Sequence, residues 1–586
     1  MSPTPVDADT RSLRATWAGL WPYLRQDLWL YGLALLLAPA TAASTMIQPW
    51  ILQRAIDHAI VPKDLKALGV EATTFLLVVL GGFLFQVGHT LLLSLAAMRT
   101  ITRLRHAIFQ HTITRSQAWF DHQPTGRLLT RATNDVETLG ETLTAGAITI
   151  VLDALQVVGV LSAMFWFDAK LTLTLLLVAP PLGLFLEFVR RRLRGLFDAV
   201  RNALAEMNSY MSERLAGVEI VQLYADEART LGQFEARNKA HAEANIRTNV
   251  YDALLYATVD GVTSVTLALM LWYGSGGILS GVLTAGMLAA FMDYVGKLFR
   301  PVQEFSSKVA VIQRAVASLE KILGLLEVQD AVVGGDVTLA HPKGHVKLEH
   351  VSFAYGDGPT ILHDVSLEIR PGEVVALCGR TGSGKTTIGK LLTRMYDGHD
   401  GTILLDGAPI ETLATGAVRR MVGSVQQDVQ LFPGTVRSNL TLGHEIGDDK
   451  LMAAVRMVRA EDVVARLGGL DGRVDEGGKN LSGGEAQLLS FARTMAHDPA
   501  VVVLDEATAS VDSLTEARIQ EATSAILSTK TTLVIAHRLS TIVGATRIVL
   551  LDQGRVLETG SHHALMAQNG SYAALFREQF HELATD

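Results

Sequence analysis

Cysteine is nearly absent: Cys378 is the single one in 586 residues, which excludes an intrachain disulfide framework and a Cys-rich zinc site. Charge is scarce too. Only 19% of the residues are charged, against about 25% in an ordinary soluble chain, while 49% are hydrophobic, so the deficit points to a membrane protein. Nor is there a basic excess. Lys and Arg number 51 against 59 Asp and Glu, a formal charge of -8, which argues against a nucleic-acid partner. The N-terminal MSPTPVDADTRS has no basic run leading into an apolar core and carries acids, so no cleaved targeting segment is expected.

What is present is a set of long apolar runs, all before about Arg300. A helix needs roughly 20 residues to cross the hydrocarbon core. Stretches of that order run over Asp27–Trp50, Thr73–Met98, Thr142–Phe167, Leu171–Val189, Val250–Tyr273 and Leu279–Phe299, so six spans are expected. The connection after the second span holds Arg99, Arg103, Arg105 and Arg115. That after the fourth holds Arg190, Arg191, Arg192, Arg194 and Arg201. Opposite loops carry only Arg54, Lys63, Lys66 and Lys170, which places the two long connections and the C-terminal half in the cytoplasm. Both connections are helix-compatible, so the helices should continue beyond the membrane. Arg11 to Tyr23 reads as an amphipathic helix on the inner surface. Asp153, Asp260 and Asp293 fall near mid-span, with no basic residue of the apolar runs at matching depth except Lys297, one turn from Asp293. Either each ties the bundle together, or at least Asp260 and Asp293 line a cavity that favours cationic or zwitterionic amphipaths.

After Leu326 short β-branched runs alternate with helical patterns, the signature of an α/β domain. The expected organisation is a tail and elbow helix over 1–26, a helical membrane domain over 27–321, a linker over 322–344, an α/β nucleotide-binding domain over 345–580 and a tail over 581–586. The run Val374–Cys378 feeds into Gly379-Arg380-Thr381-Gly382-Ser383-Gly384-Lys385-Thr386-Thr387, a P-loop in its required strand-loop-helix context. Its glycines let backbone N–H groups converge on phosphate, Lys385 neutralises charge and Thr386 offers a hydroxyl to Mg2+. A second apolar run, Val501–Leu504, ends in Asp505-Glu506; beside the P-loop strand, Asp505 would hold Mg2+ and Glu506 would polarise the attacking water. Ser482, Gly483 and Gly484 of Leu481-Ser-Gly-Gly-Glu485 open a helix and form a second anion surface. One nucleotide hardly needs both from one chain, so two chains are expected to sandwich it.

With these motifs the chain resembles an exporter-type half-transporter of the ATP-binding cassette superfamily: a six-helix membrane domain fused ahead of an ATPase domain with its helical subdomain. The resemblance implies ATP and Mg2+ as cofactors, Tyr355 as the ring that stacks on adenine, Gln427 as a contact to Mg2+ and the attacking water, and Asp512 in a loop crossing the dimer interface. It also implies that His537 contacts the γ-phosphate and that Glu476 belongs to the loop preceding the signature. Trp119 to Arg127 with Thr130 to Val136, and Glu213 to Gln222, match the coupling regions. Two departures stand out: Glu485 where glutamine is commoner, and Ala486 where a basic residue is usual. The function implied is ATP-driven export of an amphipathic lipid or drug-like compound across a bacterial inner membrane by alternating access, with a second half-transporter as partner. A homodimer is favoured over a heterodimer because Glu506 and an intact signature lie in one chain. Competing readings are an ATP-gated channel or receptor and an uptake system for a siderophore-like compound. A leader-cleaving peptide exporter is disfavoured, since no protease domain precedes the first span.

Overall fold

The computed structural model describes residues 13–145, 147–177, 179–279, 281, 283–505, 513–536 and 539–580. They form two compact units, one of Ala8–Gln110 with Leu128–Glu327, the other of His111–Arg127 with Val328–Asp586.

The first unit is helical. Among the described residues four helices are long and apolar enough to cross a membrane: Thr16–Ile60, Leu65–Ile113, Thr125–Phe167 and Glu227–Leu279. The other two expected spans are helical but do not meet that test. The Leu171–Val189 run is divided between helices Ala169–Leu176 and Ala179–Ala216, with Pro180 and Pro181 at the start of the second, where a missing N–H costs least. The last begins only at Ala285, capped by the Thr284 hydroxyl, and its apolar face shares the helix with Asp293, Lys297, Glu304 and Lys308. Helices continue past the apolar runs, to Ala216 and to Leu326. The N-terminal amphipathic stretch forms a helix over Leu13–Leu24.

Among the described residues several charges near the apolar runs are paired. Lys308 Nζ lies 2.5 Å from Asp153 Oδ2 and 3.0 Å from Glu304 Oε2, so Asp153 does have a basic partner, contrary to the expectation from depth along the apolar runs. The reason is that Lys308 lies beyond the last apolar run, on a helix packed across Asp153. Lys297 meets Asp293 at 3.0 Å, as their spacing predicts, and also donates to the Thr45 carbonyl at 2.8 Å. Asp27, 4% exposed, accepts from Arg99 at 3.3 Å and from Arg103.

The second unit holds two sheets. In the six-stranded one the order is Arg555–Gly560, Arg547–Asp552, Val374–Cys378, Thr531–Ile535, Val501–Asp505 and Val422–Val425, parallel except for the first pair. The strand ending in Asp505 is thus not beside the P-loop strand. Thr531–Ile535 lies between them, its five residues all buried, as suits a charge-free, mostly β-branched run in a parallel sheet covered on both faces. The smaller sheet is antiparallel, ordered Thr360–Ile369, Val346–Ala354, Asp400–Leu405 and Ala408–Pro409. Helix Lys385–Leu392 supplies Ile388, Leu391 and Leu392 to the apolar core between the two sheets. On the other face of the six-stranded sheet a second core collects Leu488, Leu489 and Phe491 of helix Gly483–Ala496 with Leu451, Val455 and Val463 of the helical subdomain. The short helix Gln117–Asp121 is part of this unit: Ser116 Oγ caps it at Trp119 N–H and donates to Asp330 at 2.9 Å, and Tyr396 donates to Asp121.

Candidate functional site

The P-loop follows a fully buried strand and opens a helix. Gly379 has φ +147°, and a Cβ there would stand 2.1 Å from the Leu551 carbonyl oxygen; at Gly384, φ +101°, it would stand 2.6 Å from Leu362 Cδ2. Both positions need glycine on conformation and on space, which is what lets the backbone fold tightly enough to gather N–H groups. Lys385, 5% exposed, donates from Nζ to the carbonyls of Gly379 at 2.7 Å and Arg380 at 2.9 Å. Burial pushes its ammonium below the ordinary lysine range, an effect Cys378 and Asp505 partly offset. A buried cation held by two carbonyls and, at 3.5 Å, the Ser383 hydroxyl suits an anionic guest. Thr386 is exposed beside it and Thr387 buried; Ser383 is buried, while Thr381 and Gly382 are exposed on the loop.

The parallel strands ending at Cys378, Asp505 and Val425 are in register, Leu377 and Asp505 both opposite Ile535, and Leu504 opposite Val425. Their C-terminal ends therefore define one edge of the sheet, which carries the P-loop, Asp505 and, two residues past its strand, the exposed Gln427. Glu506, Asp512 and His537 lie outside the described residues. Thr386, Asp505 and Gln427 supply a hydroxyl, a carboxylate and an amide at this edge, a hard-oxygen donor set that fits Mg2+.

Tyr355 packs edge-on against Tyr396, ring centroids 4.9 Å apart, and against Phe353 at 5.0 Å, while its hydroxyl shares a 3.1 Å hydrogen bond with Thr387 on the P-loop helix. Lys390 Nζ lies 5.6 Å from the Tyr355 ring and 5.4 Å from that of Tyr396. Tyr396 and Lys390 carry no motif and escape sequence reasoning; only the fold brings them to Tyr355.

Ser482, Gly483 and Gly484 stand at the start of helix Gly483–Ala496, with Ser482 and Gly483 exposed and Gly484 buried. Among the described residues no hydrogen bond or ion pair joins them to the P-loop. Glu485 closes a capping box: Oε2 accepts from Ser482 N at 2.8 Å, and Glu485 N donates to Ser482 Oγ at 3.3 Å. Its other oxygen meets Arg466 at 2.8 Å. Glu476 forms a single helical turn with Gly477 and Gly478 ahead of this surface.

Known proteins are similar to this chain along most of its length. The models for the ABC transporter transmembrane region and for the ABC transporter domain match residues 31–302 and 362–509. The chain is 34% identical over 520 residues to a probable multidrug resistance ABC transporter ATP-binding/permease protein, YheH, of Bacillus subtilis, across 87% of this chain and 77% of that one. It is 31% identical over 568 residues to the ATP-dependent lipid A-core flippase of Burkholderia thailandensis, across 96% and 95% of the two chains. A bacterial Atm1-family ABC exporter solved with ATP bound superposes with a TM-score of 0.74 at 26% identity, over 95% of this chain and 98% of that one. The chain belongs to the ABC transporters: a helical membrane domain precedes an ATP-binding domain whose hydrolysis of ATP is coupled to transport.

Proposed function

We propose that the protein exports an amphipathic compound, a lipid or a drug-like molecule, across a bacterial inner membrane, working as a homodimer by alternating access. The observation that carries this reading is the coexistence in one chain of a complete P-loop and an outward-facing signature surface. Each is a phosphate-binding surface, and two copies of the chain placed head to tail complete two nucleotide sites. The relatives named for multidrug resistance and for lipid A-core support a lipid or drug-like, amphipathic substrate class.

In this reading Gly379 to Thr387 hold the ATP phosphates, Tyr355 stacks on adenine, and Ser482, Gly483 and Gly484 receive the γ-phosphate of the nucleotide held by the other copy. Thr386, Asp505 and Gln427 would hold Mg2+, which when bound screens the charge of the β- and γ-phosphates. Glu506 would polarise the attacking water, His537 would contact the γ-phosphate and Asp512 would belong to the loop that crosses the interface between copies. ATP binding closes the two ATPase domains and hydrolysis reopens them.

The test is a pair of variants in the purified transporter. Glu506→Gln keeps ATP binding and slows hydrolysis by at least about a hundredfold, because the amide preserves shape but loses the carboxylate's polarisation of water. Lys385→Ala instead weakens ATP binding. Hydrolysis by Glu506→Gln at the parental rate would refute the assignment. Mass spectrometry of molecules that copurify with the protein identifies the substrate, and a tagged chain expressed alone that is monomeric and inactive would exclude the homodimer.

A further inference from the structure

A carboxylate is an awkward neighbour for a triphosphate. Glu485 sits at the third position of the signature helix, and its Oε2 accepts the Ser482 N–H at 2.8 Å. Among the described residues the donors left for a guest are the Ser482 hydroxyl and the N–H groups of Gly483 and Gly484. The acid therefore lies one, two and three residues from the donors that would face phosphate, Gly484, Gly483 and Ser482. Its other oxygen is taken by Arg466 Nη2 at 2.8 Å, and Arg466 Nη1 reaches toward the Asn480 carbonyl at 3.5 Å. Arg466 comes from a different helix, Glu461–Leu467, so the contact bridges the helical subdomain to the loop leading into the signature. Ala486, next along, brings no charge.

We propose that Arg466 is a positioning residue for the signature surface: its guanidinium neutralises Glu485 and fixes it in the helix cap, so that the cap does not repel the triphosphate of the facing nucleotide. This rests on the reading of Ser482, Gly483 and Gly484 as a phosphate surface. Burial raises the Glu485 carboxyl, but the Ser482 amide and Arg466 outweigh it and hold it below the ordinary glutamate range, so it stays ionised when ATP arrives. An ordinary exposed ion pair contributes little. This one differs because one oxygen is fixed on the backbone of the residue that must bind, and loss of Arg466 leaves a full negative charge there with no freedom to swing away.

The experiment is a double-mutant cycle on the ATPase activity of the full-length transporter in lipid nanodiscs. Arg466→Gln raises KM for ATP about threefold to tenfold while kcat changes less than about twofold, the size expected for one unscreened charge several ångströms from phosphate at a protein surface. The penalty shrinks at about 0.5 M salt, where such charges are screened. Glu485→Gln keeps the cap, removes the charge and lowers KM; adding it to Arg466→Gln brings KM back to the parental value, a rescue that a merely structural Arg466 would not show. Arg466→Lys, which keeps the charge, retains near-parental KM and serves if the glutamine variant folds poorly. A parental KM for Arg466→Gln, or a double variant no better than Arg466→Gln, overturns the proposal. Gly483→Asp separates the two levels: if it leaves hydrolysis intact, the phosphate surface itself is misread. If it abolishes hydrolysis while Arg466→Gln is silent, only the role of Arg466 falls.

Discussion

Replacing Tyr396 with phenylalanine should loosen the short helix Gln117–Asp121 without disturbing the ring cluster behind it. The Tyr396 side chain is 5% exposed, and its hydroxyl donates to the Asp121 carboxylate. Burial, then this bond to a negative partner, raises the phenol above its ordinary range, so it remains a donor at all physiological pH. A hydrogen bond to a charged group contributes about 1.5–3 kcal/mol. Here the contribution falls at or just below the lower end, because Asp121 is exposed, rehydrates when the hydroxyl is removed, and keeps its 3.0 Å bond from Gln117. About 1–1.5 kcal/mol corresponds to about a 5- to 12-fold shift in the opening equilibrium of the segment. Amide hydrogen exchange reads that shift directly. Ser116 N–H donates to the Asp330 carbonyl at 2.8 Å and Trp119 N–H to Ser116 Oγ at 3.1 Å, and both should exchange faster by that factor. The buried strand Val374–Cys378 should exchange at its parental rate. The phenylalanine ring retains the edge-on contact with Tyr355, so the hydroxyl alone is tested. Unchanged exchange at residues 116–122 would refute the reasoning, as would an equal acceleration across the whole domain.

Three further outcomes follow from buried groups. Cys378 is 3% exposed and burial pushes its thiol up to about 12, partly offset by Lys385, so at pH 8 the thiolate is on the order of one in ten thousand; iodoacetamide should label the unfolded chain and leave the native one unmarked. Glu373, 13% exposed, is raised by burial but held lower overall by Arg547, which donates at 2.8 and 3.1 Å, and by the Arg370 backbone. A folded value below the unfolded one means stability present above about pH 4.3 and lost as pH falls further; Glu373→Gln should cost about 1–2 kcal/mol at pH 7, and the deficit should vanish in acid melts. Lys308→Met should destabilise the membrane unit by about 3–5 kcal/mol by stranding Asp153, whereas Lys308→Met with Asp153→Leu should melt near the parental protein.

The α/β half was legible because its elements announce themselves locally. A five-residue apolar run, three glycines and a lysine force strand, tight loop and helix in succession, and nothing distant can substitute for them. Sheet order was not legible in the same way. Two apolar strands of equal length, Val501–Asp505 and Thr531–Ile535, are interchangeable in a parallel sheet by pattern alone, and only the packing of their flanking helices sets which one lies against the P-loop strand. The capping box shows a signal present but passed over. Ser482 followed three residues later by Glu485 is a helix-start pattern, and taken as such it explains why an acid is tolerated in the signature.

The membrane half shows a different limit. Depth along an apolar run ranks Asp153 as a carboxylate without a cation, yet helices cross the bilayer at different offsets and carry long, flexible lysines. Lys308, ten or so residues past the last apolar run, reaches Asp153 because Ala285–Leu326 is one unbroken helix. Asp293, Lys297, Glu304 and Lys308 recur at intervals of four, seven and four residues, which places them within about 60° on one stripe of that helix with alternating sign. The lysines are the shielded members, with side chains 20% and 15% exposed, while Asp293 and Glu304 are 43% and 49% exposed. Both signs are thus present along one line, so the charge of a carboxylate at mid-span does not by itself fix the charge of what is transported. What the stripe does fix is which acids lose a cation when a lysine is removed: Asp293 loses Lys297, and Asp153 and Glu304 lose Lys308.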